Sequence, residues 1–317
     1  MTTKNTEHIN AHKVQLTADD VDSIVGFSFI ADAIDHELRV FWDFTWRDWS
    51  ASLIPGTMYT IAALRSLDTA PSGAFVARSL VRSLVYFLLY IYAFDIANQI
   101  NGIAEDRINK PDRPLSSGRV SLQGAYIRWY VTTAIHLVLG AAWGVLPWTV
   151  LWVFITIYTS FYGGDKHWTT KNLLFMSVGS LCLLQASWGL VAPITAREWR
   201  WALLLSGVFG IVASVQDMRD VEGDKIAGRR TLPIVLGSHF RRVMAALICA
   251  APIICWKLEF LRYSHWIVAY CGALLTISML YMAYRVLRGG SARYDHKTYM
   301  ILTYIYCGCI AVPMLFP

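Results

Sequence analysis

The sequence predicts an all-α membrane protein, a bundle of nine transmembrane helices around a central cavity, in two similar halves. Of 317 residues, 56% are hydrophobic and 16% charged, against roughly a quarter charged in a soluble domain. The apolar residues gather into runs close to the roughly 17 to 25 residues that a helix needs to cross a bilayer. Aromatic residues make up 14% of the chain, which suits a protein with two membrane interfaces to anchor. These figures exclude a disordered chain, a collagen and a water-soluble enzyme with a single core. They leave a transporter or a membrane-embedded enzyme.

Residues 1–47 are polar to amphipathic, without a cleavable signal sequence, and are expected to lie along the cytosolic interface. Residues 48–317 are expected to form the transmembrane domain. Its runs fall at 49–67, 80–101, 124–145, 147–162, 173–193, 199–217, 242–260, 264–287 and 297–316. The first contains Pro55 and Gly56, the second and sixth end in polar residues, and the third and fourth almost abut. With nine crossings, one side of the bilayer carries fifteen basic residues, among them Lys166, Lys171, Lys225, Arg229 and Arg230, and the other seven. Basic loops stay in the cytosol, so the N-terminus and the richer side are placed there. The net charge of +6 is thus spread over short loops rather than gathered in a patch, and predicts no nucleic-acid partner. Six cysteines all lie in apolar runs without metal spacing, as buried small hydrophobes outside any disulfide framework.

Two runs break the apolar pattern in the same way. The second continues into Asp95-Ile-Ala-Asn98-Gln-Ile-Asn101-Gly102-Ile-Ala-Glu105-Asp106, the sixth into Gln216-Asp217-Met-Arg-Asp220-Val-Glu222-Gly-Asp224. At the helical period Asn98, Gly102, Glu105 and Asp106 share a face, and Asp217, Asp220 and Asp224 form a second stripe. Four spans separate the stripes, so both emerge on one side. Each is followed by a basic loop, Arg107-Ile-Asn-Lys110-Pro-Asp-Arg113-Pro-Leu and Lys225-Ile-Ala-Gly-Arg229-Arg230-Thr-Leu-Pro, as in a duplicated half. Carboxylates and amide oxygens from two facing helices suit a hard divalent cation such as Mg²⁺, which leaves positions for phosphate oxygens. Lys110, Arg113, Lys225, Arg229 and Arg230 then take up remaining phosphate charge. A diphosphate bridged in this way is a better leaving group, and the apolar bundle would hold a hydrocarbon chain. The plainer alternative is a pair of polar helix ends neutralised by their own loop cations.

The two stripes resemble the aspartate-rich motifs of the UbiA-type intramembrane prenyltransferases, N-x-x-x-D-x-x-x-D on the second helix and D-x-x-x-D on the sixth. Asn98, Gly102 and Asp106 fall on the first motif, and Asp220 and Asp224 on the second. Asn109-Lys-Pro-Asp-Arg-Pro114 matches the N-x-P-x-R-P continuation, and Thr231-Leu-Pro233 the second loop. The resemblance covers roughly residues 45 to 317. It implies a nine-helix bundle with a cytosol-facing cavity and Mg²⁺-dependent ionisation of an isoprenyl diphosphate. It gives Asn98, Asp106, Asp220 and Asp224 the catalytic metal and diphosphate contacts, with Asp217 as a further ligand. Lys166 sits where the family often has a phosphate-binding lysine, although Gly163-Gly164 replaces the usual Pro-Leu. The first motif's first aspartate is Gly102 here; Glu105, or Asn101, would have to supply that ligand. Asn98-Gln99, Glu105-Asp106 and Asn109-Lys-Pro look most like the fungal UbiA-type terpene cyclases.

Transfer to an acceptor and cyclisation begin with the same ionisation and differ in what traps the cation. A cyclase needs a closed aromatic cavity that excludes water. The third, fourth and fifth runs supply Trp129, Trp143, Trp152, Phe154, Tyr158, Phe161, Tyr162, Phe175 and Trp188, and the last two Tyr270, Tyr281, Tyr284 and Tyr299. Most are expected to pack or to face the interface, and a minority to line the cavity. His136 is expected as a satisfied core residue. The sequence thus favours cyclisation of farnesyl or geranylgeranyl diphosphate. Prenyl transfer to an aromatic or lipid acceptor comes second. Transport comes third, because acidic residues in spans also mark ion pathways.

Overall fold

Polar caps and glycines set where the apolar runs start and stop as helices. The computed structural model describes residues 18–259 and 266–315. The chain divides into two compact units, Met1–Trp42 and Asp43–Pro317. The first carries most of α1 (Ala18–Thr45), on which exposed Ile30, Ile34 and Leu38 recur every fourth residue and so share one face. The remainder of the expected interfacial segment, residues 1–17, lies outside the described residues.

The second unit contains α2 (Leu53–Arg65), α3 (Gly73–Asn109), α4 (Leu122–Ala142), α5 (Leu146–Phe161), α6 (Ser177–Gly189) and α7 (Ala196–Val212). It continues through the short α8 (Val221–Ile226) and α9 (Leu232–Leu236) to α10 (Phe240–Leu258), α11 (Trp266–Arg288) and α12 (Ala292–Leu315). Ser72, Ser121 and Thr195 open α3, α4 and α7 by accepting from the backbone N–H of Phe75, Gly124 and Arg197, donors the first turn otherwise leaves unpaired. The abrupt α4–α5 turn depends on Gly144, whose φ of 78° an L side chain rarely adopts. Among the described residues there is no strand, only one isolated parallel bridge between His167 and Arg230.

Among the described residues each predicted run overlaps helix, though some, the first and fifth among them, run past their helix ends. Four stretches of the described residues, Gly73–Asn109, Ala196–Arg219, Leu232–Leu258 and Trp266–Arg288, are by length and composition able to cross a bilayer, and Leu146–Phe161 is apolar but shorter. Two runs are not simple α-helices. The fifth begins as a π-helix, Thr169–Met176, before α6. The sixth tightens at Val212 from α7 into a 3₁₀ segment, Ala213–Arg219, and breaks at Asp220, with φ −107° and ψ 9°. The expectation of one continuous helical stripe through Asp217, Asp220 and Asp224 is therefore corrected. The first two lie at the end of the 3₁₀ segment, and Asp224 lies on the separate α8.

A single hydrophobic core joins the helices of the second unit, with α12 packed against α2 and the 3₁₀ segment, and α6 against α7. His136 belongs to this core, its ring centroid 4.5 Å from that of Tyr86. It is not satisfied as expected: neither ring nitrogen has a hydrogen-bond partner among the described residues. All six cysteines are free; Cys182, Cys255 and Cys309 are buried, whereas Cys249, Cys271 and Cys307 are half-buried.

Candidate active site

Between these helices lies a cavity of about 250 Å³. The last turns of α3 bring Asn98, Gly102, Glu105 and Asp106 to its wall, and the 3₁₀ segment brings Gln216, Asp217, Arg219 and Asp220. The two motifs touch directly. A Cβ on Gly223 would stand 2.0 Å from Asn109 Nδ2, so the Asn109 amide occupies the space over Gly223 where α8 approaches the end of α3. The third wall comes from the segment after α5, which contributes Asp165, and from the π-helix, which contributes Lys171. That segment is tied to the loop after α8, since Arg230 N donates to Lys166 O at 2.6 Å and Trp168 N to Arg230 O at 3.1 Å.

Cations hold nearly every acid in this wall. Arg113 Nη1 donates to both oxygens of Asp106, at 2.9 and 2.8 Å. Arg229, buried, donates to Glu105, to Asp165 at 2.9 and 2.6 Å, and to Asp224 at 3.2 Å. Lys171 Nζ lies 2.9 Å from Asp217 and 3.9 Å from Asp224, while Asn172 donates to Asp217 at 2.7 Å. Lys110 Nζ stands 3.9 Å from Asp106 and 4.0 Å from Asp220, between the two motifs. Burial raises the Asp220 carboxyl, but Lys110, Arg219 and Lys171 outweigh it and hold the group below the usual carboxylate range. Burial pushes the Asp224 carboxyl up, with Asp217 adding to the rise. Burial also lowers the Lys110 ammonium, helped by Arg113.

The structure thus brings together Asn98, Glu105, Asp106, Asp217, Asp220, Lys110, Arg113 and Arg229 on one cavity. Asp224 is fully buried just behind the wall, against Arg229 and Lys171. Lys166, Lys225 and Arg230 are exposed and do not line it. Sequence reasoning missed Asp48, Asp165, Lys171 and Arg219 as cavity residues. Asp165 was visible beside Lys166. The place of Lys171 depends on a π-turn, which carries no sequence pattern of its own.

Deeper in, the wall turns aromatic. Tyr90 stacks on Trp152 with centroids 3.8 Å apart, Phe94 stacks on Phe175 at 5.0 Å, and Phe209 meets Tyr306 edge-on at 4.9 Å. All six rings line the cavity. Of the aromatic residues singled out from the sequence, Trp152, Phe175 and Tyr299 line it, whereas Phe154, Tyr162, Tyr270, Tyr281 and Tyr284 are exposed. Ring faces of this kind stabilise a nearby cation by about 0.5 to 2 kcal/mol each.

The donor set fits Mg²⁺. Six carboxylates line the cavity (Asp48, Glu105, Asp106, Asp165, Asp217 and Asp220) and Asp224 lies behind it, against five cations (Lys110, Arg113, Lys171, Arg219 and Arg229). The formal excess of two negative charges equals one divalent ion. Asp224 Oδ2 and Asp165 Oδ1 are buried with no hydrogen-bond partner among the described residues, a costly state that a hard cation relieves. Among the described residues no three acidic, histidine or cysteine side chains are already arranged to hold a metal ion, so the carboxylates would have to draw together around it.

Residues 56–305 match the UbiA prenyltransferase family. The chain is 40% identical over 281 residues to the diterpene cyclase eriG of Hericium erinaceus, covering 88% of each protein. It is 39% identical over 278 residues to the polyprenyl transferase eriF of the same organism, covering 86% of this chain and 93% of that one. Its fold is also similar to that of a UbiA homologue from Archaeoglobus fulgidus solved with GPP and Mg²⁺ bound. There the TM-score is 0.63 at 16% identity, over 86% of this chain and 99% of that one. With two acid motifs meeting over one cavity, and with these likenesses spanning most of the chain, the protein belongs to the UbiA prenyltransferase family.

Proposed function

We propose that the protein is a membrane terpene cyclase, which ionises farnesyl or geranylgeranyl diphosphate with Mg²⁺ and closes the chain on itself, releasing diphosphate. The observation that carries this reading is the division of one cavity into a charged mouth and a floor of stacked rings. The oxygens of Asn98, Asp106, Asp217, Asp220 and Asp224 would hold the metal, with Glu105 in place of the acid missing at Gly102. Bound Mg²⁺ neutralises the charge that develops on the leaving diphosphate. Lys110 and Arg113 face the same group at the wall, while exposed Lys166, Lys225 and Arg230 raise the local concentration of the anion at the rim. The C–O bond breaks with its electron pair on diphosphate. The floor excludes water and the rings face the allylic cation until an alkene of the same chain attacks it. A proton then leaves, or water adds, to end the reaction. The similarity to a diterpene cyclase supports cyclisation.

Nine crossings, with the N-terminus and the cavity mouth on the cytosolic side, complete the reading. The exposed apolar face of α1 suits the lipid interface. Prenyl transfer is the second reading, favoured by the nearly equal identity to a polyprenyl transferase. The two separate when purified protein is given Mg²⁺ and farnesyl or geranylgeranyl diphosphate without an acceptor. Cyclisation yields a cyclic hydrocarbon or alcohol together with free diphosphate. Intact substrate, consumed only after an aromatic or lipid acceptor is added, would establish transfer instead.

A further inference from the structure

Of the five cations that line the cavity, Arg219 donates to Asp220, and the other four differ in how many hydrogen bonds to carboxylates hold them: Lys171 has one, to Asp217, and Lys110 only ion-pair distances. Arg113 and Arg229 are fixed, each donating at least two hydrogen bonds to carboxylates. Lys110 and Lys171 instead each stand between two acids. Lys110 lies 3.9 Å from Asp106 and 4.0 Å from Asp220, and so spans the first motif and the second. Lys171 lies 2.9 Å from Asp217 and 3.9 Å from Asp224, and so spans the 3₁₀ segment and α8. Each ammonium occupies the gap between carboxylates that a small divalent ion would draw in to about 2.1 Å. Both lysines reach the cavity on four-carbon stems that can turn without moving the backbone.

We infer that Lys110 and Lys171 are built-in counter-cations, which occupy the acid groups until metal and diphosphate arrive together. A divalent ion alone must compete with ammonium groups that already neutralise these carboxylates. A diphosphate alone meets acids whose nearest cations are engaged. When both enter, the displaced ammonium groups turn onto phosphate oxygens and the metal takes their place. Metal and diphosphate therefore bind with positive coupling, each raising affinity for the other by the same factor. Lys171 acts as a positioning residue in this scheme as well as a phosphate contact. The inference rests on the metal–diphosphate reading above, but it concerns binding and not product.

The test is Mn²⁺ binding to detergent-purified protein, at buffered free Mn²⁺, followed by electron paramagnetic resonance with and without inorganic pyrophosphate. Wild type should bind Mn²⁺ weakly alone and at least tenfold more tightly with pyrophosphate. Lys110→Met and Lys171→Met should each bind Mn²⁺ alone about tenfold more tightly, with the gain from pyrophosphate correspondingly reduced. Lys171→Arg should keep the wild-type weakness. Arg107→Met removes an exposed charge next to Asp106 in sequence and should shift Mn²⁺ affinity less than twofold. Methionine variants that bind Mn²⁺ no more tightly than Arg107→Met would overturn the inference, as would a wild type indifferent to pyrophosphate. If Lys171→Met does not fold, Lys110→Met at the rim carries the test. Coupled binding without terpene formation would leave the inference standing and remove the cyclase assignment; terpene formation without coupling would do the reverse.

Discussion

Gly102 lines the cavity at the position where the resembled motif carries an aspartate, and its surroundings are open. A Cβ there would have Asp106 Oδ2 as its nearest neighbour, at 3.8 Å. The missing acid is thus not excluded by space, and its loss leaves Glu105 and Asp106 as the carboxylates of this face. Gly140 on α4 is the opposite case, since a Cβ there would meet Thr149 Oγ1 at 2.3 Å and break into its bond with Tyr86. Gly102→Ala should therefore raise stability by about 0.5 to 1 kcal/mol through reduced chain entropy. Gly140→Ala should lower it by about 1 to 3 kcal/mol through overpacking. Unfolding midpoints of the two variants in one detergent check the pair, and equal shifts would contradict it. At this scale the sequence was informative about acids and less so about their cations. Scarce charge in apolar runs singled out Asp106 and Asp220, although the helical spacing drawn through Asp220 is broken in the structure. Nothing in the sequence showed that Arg229 faces inward while its neighbour Arg230 faces out. That depends on a backbone bridge to Lys166 formed only in the folded loops.

The element that most alters the sequence reading is the sixth run. Periodicity suggested one α-helix through Asp224, but the chain tightens into 3₁₀ and turns at Asp220. The break points Asp217 and Asp220 into the cavity and sends α8 back against α3. Hydrophobic spacing reports which residues share a face and is nearly blind to such a change of pitch over two turns. The same blindness hid the π-turn that delivers Lys171. The Asn109 side-chain amide fills the space over Gly223 where the two motifs approach. Gly223→Ala should turn the Asn109 amide out of this space and lower kcat by up to about 10- to 100-fold as α8 shifts by as much as about 1 Å from its place. Asn109→Ser in that background restores room and should return part of the activity. The check is steady-state diphosphate release by the single and double variants, and an unaffected Gly223→Ala would mean that the helix spacing is not critical.

In the second unit as a whole, charge and aromatic surface are separated along one cavity, so ionisation and chain folding can be altered independently. Phe175→Leu removes one ring from the Phe94–Trp152–Phe175 cluster while leaving the mouth intact. It should change the ratio of products while diphosphate release stays within about tenfold, in line with a cation–ring contribution of about 0.5 to 2 kcal/mol. Gas chromatography of the hydrocarbon fraction, beside a phosphate assay, measures both. The helical class and the two motifs were legible in the sequence because length and scarce charge leave few alternatives. The stacked floor was not, because rings that line a cavity and rings that face lipid look alike along the chain. Arg229 has a consequence of its own for motion. Its guanidinium joins Glu105 on α3, Asp165 after α5 and Asp224 on α8. Moving any one of these segments takes a carboxylate away from a buried guanidinium shared with the other two. Amides around the three acids should therefore be protected together in hydrogen exchange, and Arg229→Met should lower the protection of all three.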